Sequence, residues 1–316
     1  MTPEQVVDGV LARKRRAIGR AITMAESLGP EGRQVMRALH PRAGNAVRVG
    51  VTGSPGAGKS TLSAALVRNL RARGQTVAIV SVDPTSPFTH GAVLGDRIRL
   101  VDHFLDDGVF IRSMASRGHL GGLSEATADA VTILDAAGFD VVIIETVGAG
   151  QNEVEVQALV DTVMLVLMPG SGDAIQAIKA GVMEIPDVIV INKCDRPGAD
   201  ILAGEVESAL TLVPTDDWIP PVILTQALDG RGVDDAWAAV ERHRDDLASS
   251  GRAGDRTRDG MRRQLRSLAL ERLVRDLDAR TDPAELDALV DRVVAREIDP
   301  STAVDTILGS APHEEA

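Results

Sequence analysis

One stretch, residues 49–61, limits what this chain can fold into. The apolar run Val49-Gly50-Val51-Thr52 leads into Gly53-Ser54-Pro55-Gly56-Ala57-Gly58-Lys59-Ser60, and Thr61 follows. The spacing is G-x-x-x-x-G-K-[ST], a loop that cradles phosphates. Glycines without a Cβ let the backbone approach a phosphate closely. Successive N–H groups form a concave anion nest, and a helix starting there directs its positive end at the same point. Lys59 can reach the outer phosphates, and Ser60 can offer its hydroxyl to Mg²⁺. A glycine-rich turn with a solvated lysine would satisfy the eight residues alone. The flanks argue against it: the run before is strand-like, and Leu62-Ser63-Ala64-Ala65-Leu66-Val67 has the pattern of an amphipathic helix.

From Val47 onward, strand-like and helix-like segments alternate. Strands are expected at 76–82, 109–112, 140–145, 162–168, 188–191 and 222–225, with a helix over 124–137 between two of them. This alternation predicts an α/β fold, a mostly parallel sheet sandwiched by helices, with ligands at the carboxyl ends of the strands. Residues 1–44 read as a helical extension, with Pro41 to Asn45 as the linker into a nucleotide-binding domain over 45–247. The basic run Arg13-Lys14-Arg15-Arg16 reads as a solvated helical face. Residues 248–260, rich in Gly, Arg and Asp, read as a linker. Residues 261–309 return to helical periodicity, so 248–316 is expected to be a linker and a C-terminal helical arm that packs on the main domain or on a second copy.

Composition narrows the functions. A formal net charge of −12 and an aromatic content of 2% argue against phosphate-backbone binding and base stacking along nucleic acid. The single Cys194 excludes an internal disulfide and a cysteine-rich metal site. The N-terminus lacks an apolar signal core and no apolar run reaches membrane-spanning length, so a cytoplasmic protein without membrane contact is the expectation.

The other chemistry-bearing residues follow strand ends. Asn192-Lys193-Cys194-Asp195 comes directly after Val188-Ile189-Val190-Ile191. N-K-x-D in this place suits a guanine reader. The Asp195 carboxylate can accept from the ring N–H and the exocyclic amine, a donor pair that adenine lacks. Lys193 can lie along the base and Asn192 can tie strand to loop. Glu145-Thr146-Val147-Gly148 ends another strand. There an acidic side chain can sit near Mg²⁺, directly or through a water, and the Gly148 N–H can sense a γ-phosphate. Asp83 and Asp96 are further carboxylates for Mg²⁺ or for positioning the attacking water. Mg²⁺ takes only one or two carboxylates, so Asp83, Asp96 and Glu145 cannot all ligate beside Ser60 at once. Plain turn or strand-end carboxylates remain the competing reading for each. In Thr225-Gln226-Ala227-Leu228 the backbone N–H of the small Ala227 can contact the guanine carbonyl. Residues 170–179, taken alone, read as a loop and a surface helix.

With these residues in view, the chain resembles the MeaB/ArgK family of P-loop GTPases, whose human member is known as MMAA, in the class that also holds HypB and UreG. The resemblance runs from residue 22 to about residue 246 and more loosely beyond. It rests on GSPGAGKST at 53–61, SVDPTSP at 81–87, LGDRIRL at 94–100, ETVGAGQNEVEV at 145–156, SGDAIQAIKAG at 171–181 and NKCD at 192–195. It implies GTP hydrolysis coupled to a cobalamin-dependent acyl-CoA mutase, usually methylmalonyl-CoA mutase, with the GTPase gating cofactor loading and protecting the mutase. It also implies a homodimer built through C-terminal helices, and a switch loop holding Asp173, Gln176 and Lys179 that responds to the mutase. Two departures stand out: Gln226 occupies the middle of a motif that usually reads T-S-A, and Met261-Arg262-Arg263-Gln264-Leu265 replaces a pattern with Tyr and Trp.

The expected protein is thus a Mg²⁺-dependent GTPase that binds GTP and GDP, with slow intrinsic turnover raised by its partner. Catalysis would rest on Lys59, Asp83, Glu145 and Gly148, mostly by positioning and charge neutralisation. A nickel-delivery GTPase would need His- or Cys-rich ligands. A small-molecule kinase on the same loop would need an acceptor pocket.

Overall fold

The computed structural model describes residues 1–83, 105–115, 125–146, 152–170, 185–212 and 218–309. Its strands are β1 (Val47–Thr52), β2 (Val77–Asp83), β3 (Val109–Ala115), β4 (Val141–Thr146), β5 (Thr162–Leu167), β6 (Val188–Ile191) and β7 (Val222–Leu224). They form one sheet in the order β3-β2-β4-β1-β5-β6-β7, and every pairing is parallel. Strands β4, β5 and β6 are buried at every position, and apart from Glu145, Thr146 and Thr162 they are runs of Val, Ile, Leu and Met because helices cover both faces. The strand expected at 109–112 continues to Ala115. Arg112 and Ser113 break its apolar run, yet both stay in register with β2, and Arg112 is paired with Glu26 at 2.6 Å.

The helices are α1 (Pro3–Leu11), α2 (Arg15–Glu26), α3 (Pro30–Leu39), α4 (Lys59–Ala72), α5 (Glu125–Ala136), α6 (Asn152–Leu159), α7 (Ala199–Leu210), α8 (Val233–Ser249), α9 (Ala253–Arg280), α10 (Pro283–Val294) and α11 (Pro300–Leu308). The period-two alternation of the sheet divides the core. Val142 and Ile144 of β4 face a cluster with Ile18 and Ile22 of α2, Leu39 of α3 and Ile133 of α5. Val141 and Ile143 face the other way, onto Leu62 and Leu66 of α4 and Trp237 of α8. The N-terminal helices therefore share a core with the sheet.

The basic run does more than face solvent. Arg13 donates from Nε to the Ala137 carbonyl at 3.2 Å and from Nη2 to the Gly138 carbonyl, and its guanidinium lies 5.2 Å from the centre of the Phe139 ring. Arg15 donates to the carbonyls of Asp106 and Val109 at 2.9 and 2.8 Å. Backbone carbonyls at a helix end and a strand start need donors, and these arginines supply them. The 41–45 linker is pinned as well: the buried Asp135 accepts from the N–H groups of Gly44, Asn45 and Ala46 at 2.8, 3.0 and 3.0 Å.

The polar stretch expected as a linker at 248–260 is helical from Ala253. Its composition matched a loop, but Arg256 reaches the carboxylate of Asp187, just before β6, with Nη1 at 2.9 Å from Oδ1 and Nη2 on Oδ2. That bidentate pair holds the first turns of α9 in a helix.

The chain divides into two compact units, Met1–Gln264 and Leu265–Ala316. In the second, α10 has no buried residue and α11 only Ala303. Asp282 and Asp299 cap α10 and α11 through backbone N–H groups, with Pro in the first turn of each. Among the described residues, no helix is long and apolar enough to cross a membrane.

Candidate functional site

The 53–58 loop leaves the carboxyl end of β1, the strand at the centre of the sheet. Chain connections diverge on its two sides, which opens a crevice at the strand ends. Gly58 stands before α4 with φ +94°, and no side chain caps this helix start. A Cβ at Gly58 would run into Asn192 Nδ2, so the loop closes onto the β6 turn only because this residue is glycine. Ser54, Ala57, Lys59 and Ser60 are buried, Gly58 and Thr61 are half-buried, and Pro55 and Gly56 are exposed. Lys59 Nζ donates to the carbonyls of Gly53 and Ser54 at 2.7 and 3.0 Å, folding its charge over the loop.

Ser60 Oγ donates to Oε1 of Glu145 in a short hydrogen bond. Glu145 lies on β4, beside Val51 of β1 and Ser81 of β2, and is buried. One residue further on, Thr146 and Thr52 touch through their hydroxyls at 3.3 Å. A hydroxyl and a buried carboxylate facing each other at the foot of an anion nest are hard oxygen donors, and that donor set fits Mg²⁺. Asp83 ends β2 two residues past Ser81, paired in register with Ala115, so its backbone lies at the same edge of the sheet. Its side chain, and the whole of Asp96, Gly148, Asp173, Gln176 and Lys179, lie outside the described residues.

On the other side of the loop, Asn192 is buried and joins three segments. Its Nδ2 donates to the Ala57 carbonyl at 2.9 Å, and its Oδ1 accepts from Thr225 Oγ1 at 3.2 Å and from the Ala227 N–H at 3.1 Å. The Ala227 N–H is thus already engaged by Asn192. Lys193 takes a left-handed backbone, φ +58°, and its Nζ donates to the Gly56 carbonyl at 2.6 Å and to Met168 Sδ at 3.5 Å. Asp195 is exposed at the end of this turn. Both lysines therefore converge on the 53–58 loop, where an anion would sit.

Sequence reasoning passed over Thr225, Met168 and Arg231. Thr225 is fully buried and ties β7 to Asn192. Its signal was its place as the last residue before a small-residue loop. Nothing in the pattern singled out Met168 or Arg231, because each acts through a contact between segments far apart in the chain.

A phosphate loop on the central strand, joined through one asparagine to the turn at the end of β6, defines the class: this is a P-loop GTPase, and it hydrolyses GTP. The model of the family described as methylmalonyl Co-A mutase-associated GTPase MeaB matches residues 18–282, and the chain belongs to that family. It is 43% identical over 309 residues to a putative GTPase of Pyrococcus abyssi, covering 96% of this chain and 95% of that one. It is 30% identical over 325 residues to a Mus musculus protein described as methylmalonic aciduria type A homolog, mitochondrial, covering 96% of this chain and 78% of that protein. A crystal structure described as an LAO/AO transport system kinase superposes with a TM-score of 0.73 at 31% identity, covering 98% of this chain and 97% of that one.

Proposed function

We propose that this GTPase is Mg²⁺-dependent and serves as a chaperone for a cobalamin-dependent acyl-CoA mutase, gating cofactor loading and protecting the mutase, with methylmalonyl-CoA mutase the first candidate. The observation that carries the reading is the reach of the family match. It spans residues 18–282, taking in most of α2 and all of α3 and α9, so the likeness to mutase-associated GTPases extends well past the nucleotide crevice.

Within the crevice, Lys59 exchanges loop carbonyls for phosphate oxygens when nucleotide enters, and the open start of α4 supplies further N–H donors, while Lys193, held to the Gly56 carbonyl, lies along the base. Ser60 and Glu145 are the residues that would hold Mg²⁺, which, when bound, supplies charge neutralisation at the phosphates. Asp195 reads the base and Asp83 positions the attacking water. Intrinsic turnover is slow, and the partner raises it through the loop holding Asp173, Gln176 and Lys179. A homodimer through the C-terminal helices is supported by large apolar side chains left bare there, Leu265, Leu273, Val274, Val290 and Val294 among them.

The test is steady-state GTP hydrolysis, with ATP as control, with and without methylmalonyl-CoA mutase. A slow GTP-specific rate that the mutase stimulates is the expected result. A rate that neither this mutase nor a related cobalamin-dependent mutase changes would overturn the chaperone reading.

A further inference from the structure

Two loops meet on the base side of the crevice, residues 192–195 after β6 and residues 225–231 after β7. Their inner ends are joined deep in the fold. Thr225 N–H donates to the Ile191 carbonyl at 2.9 Å, Cys194 N–H donates to the Thr225 carbonyl at 3.0 Å, and Asn192 accepts from Thr225 and Ala227. The outer ends are joined differently. Arg231 Nη2 donates to Cys194 Sγ at 3.1 Å, and both residues are at or near the surface.

Arg231 comes off a closed loop. Gln226 N–H donates to the Arg231 carbonyl at 3.0 Å, and the Gly230 N–H donates back to the Gln226 carbonyl at 3.1 Å. The next residue, Gly232, has φ +74°, and a Cβ there would strike the Leu224 carbonyl oxygen, so the loop is held tightly against the end of β7. The backbone of Arg231 is fixed and its long side chain crosses the gap. Its target lies between Lys193, whose backbone is left-handed, and the exposed Asp195. A carboxylate in solvent at the end of such a turn needs its turn held if it is to meet two donors of a base at once.

We propose that Arg231 is a positioning residue for guanine recognition: through Cys194 it fixes the turn that presents Asp195 to the base. This rests on the reading of Asp195 as the guanine reader. Cys194 is a weak acceptor, so the expected effect is that of a single hydrogen bond.

The experiment compares GTP, ITP and ATP hydrolysis by the full chain and by Arg231→Ala, Cys194→Ala and the double variant, with melting temperatures as a folding control. ITP lacks the exocyclic amine, so the GTP-over-ITP preference reports on how well Asp195 meets both donors. Arg231→Ala should raise KM for GTP by about three- to tenfold, lower the GTP-over-ITP ratio and leave kcat within about twofold. Cys194→Ala should reproduce the loss, and the double variant should add little to either single change. Variants that keep the wild-type KM and ratio, or that lower only kcat, would overturn the role of Arg231. A wild-type chain that does not prefer GTP to ATP would overturn the reading of Asp195 and this proposal with it. The two failures appear in different proteins and are told apart.

Discussion

The two ends of the chain carry the same kind of sequence and reach opposite outcomes. Both are helical, with apolar residues at helical spacing. At the N-terminal end Val6, Val10, Ile18, Ile22 and Leu39 are all fully buried, sharing a core with β2, β4 and α5. In the C-terminal unit Leu273 is 64% exposed and Val294 76%. The difference lies in what each helix has to pack on. The N-terminal helices pack on one another and on α5, which joins them to the apolar side chains of β2 and β4. Two short helices and the end of a long one have too little mutual surface to bury their own apolar residues. Amphipathic spacing therefore declares that a face wants a partner and leaves open which partner it finds.

The sharpest test of that contrast lies at the root of the C-terminal arm. Arg256 anchors the start of α9 to Asp187, whose Oδ2 also accepts from the Val163 N–H at 2.7 Å. Removing Arg256 leaves a carboxylate in a largely buried position without its counter-charge. Arg256→Ala should cost about 3–5 kcal/mol in urea unfolding. A loss under about 1 kcal/mol, the scale of an exposed ion pair, would mean that this pair does not anchor the start of α9.

At the other end, Ile22→Ala should cost about 2–5 kcal/mol, through lost burial and the cavity left behind. The whole of that loss should appear in the transition that unfolds the nucleotide-binding core. A separate early transition for α1 to α3, seen by calorimetry, would break the contrast.

A smaller, pH-dependent effect comes from the same anchor. The His243 ring is buried, with Nδ1 2.9 Å from Thr162 Oγ1 and Nε2 3.3 Å from Asp187. Burial pushes its pKa below the ordinary 6.5, against the pull of Asp187, and Arg256 adds to the lowering. The folded state then binds fewer protons at this ring than the unfolded chain. The stability it contributes is present above about pH 6.5 and is lost as pH falls from there through the lower folded-state value. The urea midpoint should fall between pH 7 and pH 5, and His243→Gln should flatten that fall. An unchanged slope in the variant would assign the fall to other groups.

The smallest effect belongs to the bare face. Leu273→Ala should change the unfolding free energy of the dilute chain by less than about 0.5 kcal/mol, since little is buried there to lose. A much larger loss that grows with protein concentration would show that this face is covered by another copy.

Much of the site was legible in the sequence because its chemistry is local. The glycine loop, the Lys-Ser pair after it and N-K-x-D after a strand are short patterns whose spacing follows from what a phosphate and a base require. Residue by residue the tertiary structure added what spacing cannot carry. It joined Asn192 to Ala57, Thr225 and Ala227, set Lys193 over Gly56, and set Ser60 against Glu145. These pairs are 33 to 137 positions apart in the chain. The 248–260 stretch misled for a related reason: its loop-like composition is overridden by one ion pair to Asp187, 69 residues away.

By itself, then, the sequence determined the parallel sheet, the glycine loop after its first strand, the place of the N-K-x-D turn after β6 and the helical character of both ends. All of these follow from hydrophobic period and from residues adjacent in the chain. Only the tertiary structure decided which helices share the core, that Arg13 and Arg15 bind carbonyls, that Asp187 anchors α9, and that Arg231 reaches Cys194. Each of those depends on free carbonyls, buried charges and facing surfaces brought together by segments distant in sequence, and no local pattern encodes such meetings.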